Sequence, residues 1–228
     1  MKIKNPFSDL TRFELVLWIL SVVITLLSYI ISKGGDILTA IASAVGVTAL
    51  IFVAKGYVLG QILTVVFSVF YGIISYFFRY YGEMITYLFM TAPIAVMSVI
   101  SWIRHPYEGT KEVEVSRINK KQVLRGTVLS GIITLMFYFI LSALGNKNMF
   151  LSTLSITTSF LACYFTFLRS PYYAIMYSAN DIVLIILWIM ATMESIDYLP
   201  MVICFTMFLV NDIYGFVNWQ KIAKKQQY

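Results

Sequence analysis

Two Asn-Asp-Ile tripeptides, Asn180-Asp181-Ile182 and Asn211-Asp212-Ile213, sit inside long apolar runs. A carboxylate near the centre of a membrane helix costs ~2.5–3.5 kcal/mol on insertion scales. It persists there with a partner, a proton or a water-filled space, and its default reading is functional. Plain helix-to-helix glue is served more cheaply by Ser or Asn alone. A layer rich in amides and carboxylates takes up the hydroxyls of a sugar or alcohol. Aromatic faces beside it stack a planar ring and favour a cationic one. Tyr177, four residues before Asp181, and Trp188, seven after it, share its helical face. In the final run Asn211, Tyr214, Gly215 and Asn218 form one stripe, and Asp212, Gly215, Phe216 and Trp219 an overlapping one. Gln61, Ser68, Tyr71 and Ser75 recur at helical spacing earlier in the chain. The candidate substrate-binding set is therefore Asn180, Asp181, Asn211, Asp212, Tyr177, Trp188, Tyr214, Gln61, Ser68 and Tyr71.

Other chemistries lack their residues. The only histidine, His105, lies in a polar loop, which leaves no base for a Ser-His triad and no zinc cluster. Cys163 and Cys204 both lie in apolar runs and suggest neither a disulfide framework nor a metal site. No catalytic residue, metal or cofactor is expected. No Gly-rich loop is placed to cradle phosphate and no basic residue lies deep within an apolar run, so a phosphorylated cargo is disfavoured. No ATPase motif occurs.

The elements that hold these residues must be membrane helices. Of the 228 residues 60% are hydrophobic and 12% charged, and the mean hydropathy is +0.82; a soluble domain is about a quarter charged. The net charge of +6 then belongs to basic loops on a lipid bilayer, with no nucleic acid as partner. Spans of ~20 apolar residues are expected at Phe13–Ile31, Ile37–Ala54, Val58–Phe78, Met84–Ile103, Val123–Leu144, Phe150–Leu168, Tyr173–Met193 and Tyr198–Val217. An even number of crossings puts both termini on one side. That side collects Lys2, Lys4, Arg12, Lys55, Arg104, Lys111, Arg117, Lys120, Lys121, Arg125, Arg169, Lys221, Lys224 and Lys225. The other holds Lys33, Arg79 and Lys147. The bias marks the first side as cytoplasmic. With ~1.5 Å per residue, Asp181 and Asp212 lie at one depth, roughly 10–12 Å above that face. Two consecutive antiparallel helices would make one polar layer of them. Trp102 and Trp219, near span ends, read as interfacial anchors, and Trp18 as packing.

Three spans lie before the fifth, after the first, and three follow it. Ile37-Leu38-Thr39 pairs with Leu151-Ser152-Thr153, and Ala54-Lys55-Gly56 with Leu168-Arg169-Ser170. Glu83 lies opposite Asp197 and, after a small shift, Ser101-Trp102 opposite Asn218-Trp219. A single span between triplets restores their direction, so 3+1+3 gives two parallel repeats with a site between them. The fold class is an all-α membrane protein of eight transmembrane helices. Its divisions are an N-terminal segment and first helix (1–35), a first triple-helix repeat (36–104), a cytoplasmic connector and linker helix (105–145), a second repeat (146–220) and a basic cytoplasmic tail (221–228).

At this point the chain resembles the PnuC family of vitamin-precursor transporters, over about Ile37 to Trp219. The resemblance rests on the 3+1+3 order, LGQILTVVFSVFYGIISYFFRYYGEM in the third span, RSPYYAIMYSANDIVLIILW in the seventh and the closing NDIYGFVNW. Members carry a Trp-x-x-Trp pair with a following Asn in the seventh span, and an Asn with a later Trp in the last. Asn180 matches the first Asn, and Asn211 with Trp219 the second pair. The tryptophan pair is missing: Tyr173 and Met176 stand near those positions, with Tyr177 close by. The resemblance implies facilitated diffusion of an unphosphorylated vitamin precursor, nicotinamide riboside first, with thiamine, riboflavin and deoxynucleosides as alternatives. It also implies trapping by a separate kinase inside the cell, a homotrimer and residence in the cell inner membrane. Two other classes are set beside it. An intramembrane aspartyl protease would use two aspartates, but its Tyr-Asp and Gly-x-Gly-Asp patterns are absent. A substrate-capturing subunit of an energised complex would dock through small residues such as those of Ile41–Val47.

Overall fold

The structure, a computed structural model, describes residues 5–31, 37–77, 81–146 and 148–226. Within them lie eight helices long and apolar enough to cross a membrane. They are α1 (Arg12–Ile31), α2 (Ile37–Ala54), α3 (Val58–Phe77), α4 (Tyr81–Arg104), α5 (Lys120–Ala143), α6 (Met149–Phe167), α7 (Tyr172–Glu194) and α8 (Leu199–Lys225). Every expected span is present. Phe78, Lys2, Lys4, Lys33, Arg79 and Lys147 lie outside the described residues. α8 runs on through Lys221, Lys224 and Lys225, so the boundary drawn at residue 220 falls inside one continuous helix.

The apolar side chains point outward. Along α5, Leu124, Val128, Ile132, Leu135 and Phe139 are all exposed, while its inner face is Gly126, Ser130, Phe137 and Leu141. Lipid tails are as apolar as leucine, so leucine gains nothing from burial here. Close helix contact comes from small and hydroxylated residues instead. α2 follows the same rule. Ala42, Ser43, Gly46 and Val47 are buried within the chain, so its small-residue face is spent on internal packing and is not a docking surface.

Helix α4 is interrupted by a wider turn over Thr86–Thr91, in which the Ala92 N–H donates to the Tyr87 carbonyl. Pro93 follows at once. Proline has no N–H to give and its ring crowds the carbonyl one turn back, and a widened turn relieves both.

The ends of α2 and α6 are built alike. The Gly56 N–H donates to Val53 O (2.9 Å) and the Tyr57 N–H to Phe52 O (3.0 Å). The Arg169 N–H likewise donates to Thr166 O (2.9 Å) and the Ser170 N–H to Phe165 O (3.0 Å). Each turn is closed by a left-handed residue, Gly56 at φ +68° and Arg169 at φ +58°. This is the arrangement that satisfies the free carbonyls of a helix end. The bonding equates Gly56 with Arg169, one position away from the sequence pairing of Gly56 with Ser170.

The same carbonyls take tryptophans from across the bundle. Trp219 Nε1 donates to Val53 O at 2.8 Å and Trp102 Nε1 to Thr166 O at 3.0 Å. Their neighbours do likewise: Asn218 Nδ2 donates to Ala54 O and Ser101 Oγ to Phe167 O. Trp102 is 1% exposed and Trp219 0%, with ring centroids 5.5 Å apart. The expectation of interfacial anchors is corrected: both indoles are interior. Hydropathy places them near a membrane edge, but each indole N–H has a helix-end carbonyl with a second lone pair to reach inside the protein.

The connector between α4 and α5 lies across both turns. The Val113 N–H donates to Gly56 O and the Ser116 N–H to Arg169 O. Gln226, just past α8, clasps the same strand: its Oε1 accepts from the Val115 N–H and its Nε2 donates to Val113 O. α1 is fastened to α2 and α8 by polar contacts. Lys55 pairs with Glu14 at 3.0 Å, and Tyr214 Oη donates to the same carboxylate at 2.8 Å. Trp18 Nε1 donates to Thr48 Oγ1, and Asn211 Nδ2 to Ser21 Oγ.

At Gly60 a Cβ would lie 2.3 Å from the backbone N of Val53 and 2.8 Å from the Phe52 carbonyl carbon. Helices α2 and α3 cannot otherwise come so close. Gly60→Ala is expected to cost about 1–3 kcal/mol, read as a lower thermal midpoint of the detergent-solubilised protein. Gly131→Ala, with nothing within 4 Å, should leave it unchanged or raise it slightly.

Candidate functional site

A cavity of about 50 Å³ opens between six helices. Its wall takes Gly46, Ala49, Leu50 and Val53 from α2; Gln61, Thr64, Phe67 and Ser68 from α3; and Tyr87 and Thr91 from α4. From the other half come Ser159 of α6, Tyr177, Asn180 and Asp181 of α7, and Phe205, Phe208 and Asp212 of α8. Helices α1 and α5 contribute nothing. The cavity has room for a few water molecules and is too small for a nucleoside as it stands.

Helices α7 and α8 are antiparallel neighbours: Tyr173 packs on Trp219 at one end and Trp188 on Tyr198 at the other. Between those ends Asp181 and Asp212 both line the cavity, their carboxyls near enough to interact directly. Each is 3% exposed. Asp181 Oδ2 has no hydrogen-bond partner, an expensive condition in an apolar surrounding unless a guest or water meets it.

Asn180 is oriented from α6. Ser155 Oγ (3.1 Å), Thr158 Oγ1 (2.9 Å) and Ser159 Oγ (2.9 Å) all surround its Oδ1. With the amide oxygen so engaged, the amide NH2 is the group left for the cavity. Aromatic rings supply the remaining wall. Phe67 and Phe208 stand edge-on at 5.5 Å, Phe67 and Tyr87 at 5.9 Å, and Tyr177 Oη contacts Cys163 Sγ at 3.3 Å. No Lys or Arg lines the cavity among the described residues.

Of the residues expected at the site, Asn180, Asp181, Asp212, Tyr177, Gln61 and Ser68 meet at this wall. Four stand elsewhere. Asn211 turns to α1, bonding Ser21 Oγ and the Met207 carbonyl. It is adjacent to Asp212 and so points some 100° away around the helix. Tyr214 reaches Glu14 instead. Trp188 packs on Tyr198 in the apolar core. Tyr71 lies one turn beyond Ser68, packed on Tyr87 at 4.5 Å. Tyr173, near the position expected for a family tryptophan, is 1% exposed and packs on Trp219 at 5.0 Å.

Sequence reasoning missed Thr64, Tyr87, Thr91 and Ser159. Thr64 was available, lying on the Gln61–Ser68 stripe. Tyr87 and Thr91 were available too, four residues apart on one face of α4. Ser159 belongs to a hydroxyl cluster whose purpose shows only when Asn180 is beside it.

The geometry agrees with what the chain is similar to. The model of a family described as "Nicotinamide mononucleotide transporter" matches residues 36–221. A protein of Neisseria mucosa, "Nicotinamide riboside transporter PnuC", is 26% identical over 97% of this chain and 86% of its own. One of the same name from Haemophilus influenzae is 22% identical over 98% and 97%. A solved structure titled "Crystal structure of the Vitamin B3 transporter PnuC" superposes with a TM-score of 0.83 at 25% identity, covering 96% of this chain and 95% of the other. With a family match over most of the chain and a shared fold along its whole length, this chain belongs to the nicotinamide mononucleotide transporter family.

Proposed function

We propose that the chain carries nicotinamide riboside across the cell inner membrane by facilitated diffusion, with no chemistry of its own. A separate kinase traps the cargo inside. The observation that carries this reading is the composition of the cavity wall: carboxyls and amides for ribose hydroxyls and a carboxamide, aromatic rings for a planar heterocycle, and no basic side chain among the described lining residues. The family description names a mononucleotide, whereas both relatives are named for the riboside. A phosphate dianion would find no Lys or Arg to balance it among the described lining residues, which favours the unphosphorylated form. Thiamine, riboflavin and deoxynucleosides are the alternative cargoes within the same fold.

The supporting architecture is a pair of parallel triplets, α2–α4 and α6–α8, joined by α5 and related by an axis along the membrane normal. The matched turns at Gly56 and Arg169 and the exchanged tryptophans argue for it. Both termini face the cytoplasm on this reading. Described basic residues from Arg12 to Lys225 gather at the end where Lys111–Asp9, Lys225–Glu112 and Lys55–Glu14 pair. The assembly is a homotrimer in which each protomer has its own path.

Purified protein alone in liposomes is expected to equilibrate labelled nicotinamide riboside without ATP. Uptake that appears only with an added ATPase would sink the carrier reading. In calorimetry, Asn180→Ala should weaken riboside binding at least tenfold, because three hydroxyls lose their acceptor and the guest an amide. Glu108→Ala, in the exposed connector, should leave affinity unchanged. Equal effects of the two would remove Asn180 from the site.

A further inference from the structure

Two carboxyl groups in contact hold at least one proton, since neighbouring carboxylates in a dry site cannot both stay ionised. What surrounds the Asp181–Asp212 pair matters for where that proton goes. Helix α4 presents Tyr87 and, nearer its start, Glu83; α6 presents Cys163; α7 presents Tyr173 and Tyr177; α8 presents Cys204. Helices α2 and α3 bring no titratable side chain to the cavity wall, and Tyr71 of α3 lies behind Tyr87. Phenols and thiols are neutral at pH 7. The pair therefore has no resident cation among the described residues, and Asp181 Oδ2 stays buried without a partner.

We propose that Asp181 and Asp212 are the counter-ion of a cationic ring and exchange a proton for it. The inference rests on the riboside reading, because the pyridinium ring of nicotinamide riboside carries a fixed positive charge. In the free carrier, with no cation to balance a lone carboxylate, both carboxyls carry their protons; as the ring enters, one O–H gives its proton to solvent and the carboxylate left behind faces the ring. One positive charge enters and one leaves, so the buried site keeps its net charge. A carboxylate created only when its partner arrives avoids the cost of an unpaired charge in the free carrier. A neutral ring of the same shape releases no proton and forgoes the ion pair, so the pair discriminates by charge.

The test is calorimetry of the full-length protein with two probes: nicotinamide riboside, and its 1,4-dihydro form, which is neutral. Titrations at pH 7 in buffers of different protonation enthalpy count the protons released. Expected are about one proton per cationic riboside and none for the dihydro form, with affinity for the cation rising about tenfold per pH unit while the pair is protonated. Asp212→Asn should abolish the release and reduce the preference for the cation at least tenfold. Glu83→Gln should leave both intact, which assigns the proton to the pair. Equal affinity for both probes with no proton released by the wild type overturns the exchange and leaves the riboside reading standing. Release that persists in Asp212→Asn and disappears in Glu83→Gln also overturns it. Binding of neither probe overturns the riboside reading, and the exchange with it.

Discussion

The carbonyl oxygens at the ends of α2 and α6 are the groups around which the protein is arranged. A helix end leaves four carbonyls without partners, and near a membrane few waters are at hand to meet them. Val53 O and Thr166 O each take a backbone N–H from their own turn and an indole N–H from the other half of the chain. The ties cross: the tryptophan of α8 serves α2, and that of α4 serves α6. Helices α2–α4 and α6–α8 therefore complete one another, and the cavity lies between them. The connector threads over both turns, so its backbone pairing is set by the same geometry.

From that brace the site follows. Tyr173 packs on Trp219, which holds these ends of α7 and α8 in register and brings Asp181 level with Asp212. Hydroxyls of α6 turn the amide of Asn180. Helix α1 lies outside the triplets, yet its Ser21 takes the amide of Asn211, next to Asp212, and its Glu14 joins Lys55 and Tyr214 at 2% exposure. The outer helix thus steadies the helix that carries half of the carboxyl pair. Polar side chains inside a membrane protein divide into those that fasten helices and those that face a guest, and residue type does not sort them. Asn180 and Asn211 share a residue type and a sequence context, and have different duties.

The expectation that failed most instructively was that of the interfacial tryptophans. A hydropathy profile measures distance along the chain from a polar loop. It carries nothing about a carbonyl on another helix that needs a donor. The polar stripe of α3 was half legible as cavity wall for a related reason: period 3.6 identifies a face, but the face extends past the cavity. Ser68 lines it, and Tyr71, one turn on, has already entered the packed core.

By itself the sequence determined that the chain spans a membrane eight times, which segments cross, which end gathers the basic residues and that two aspartates share a depth. Each of these is a property of local composition and helical rise, which need no partner to be read. The tertiary structure decided which of the polar side chains meet. Rotation of one helix about its axis against another is set by ridges, turns and crossed hydrogen bonds, and a rotation of one residue, some 100°, is the whole difference between Asp212 at the cavity and Asn211 against α1.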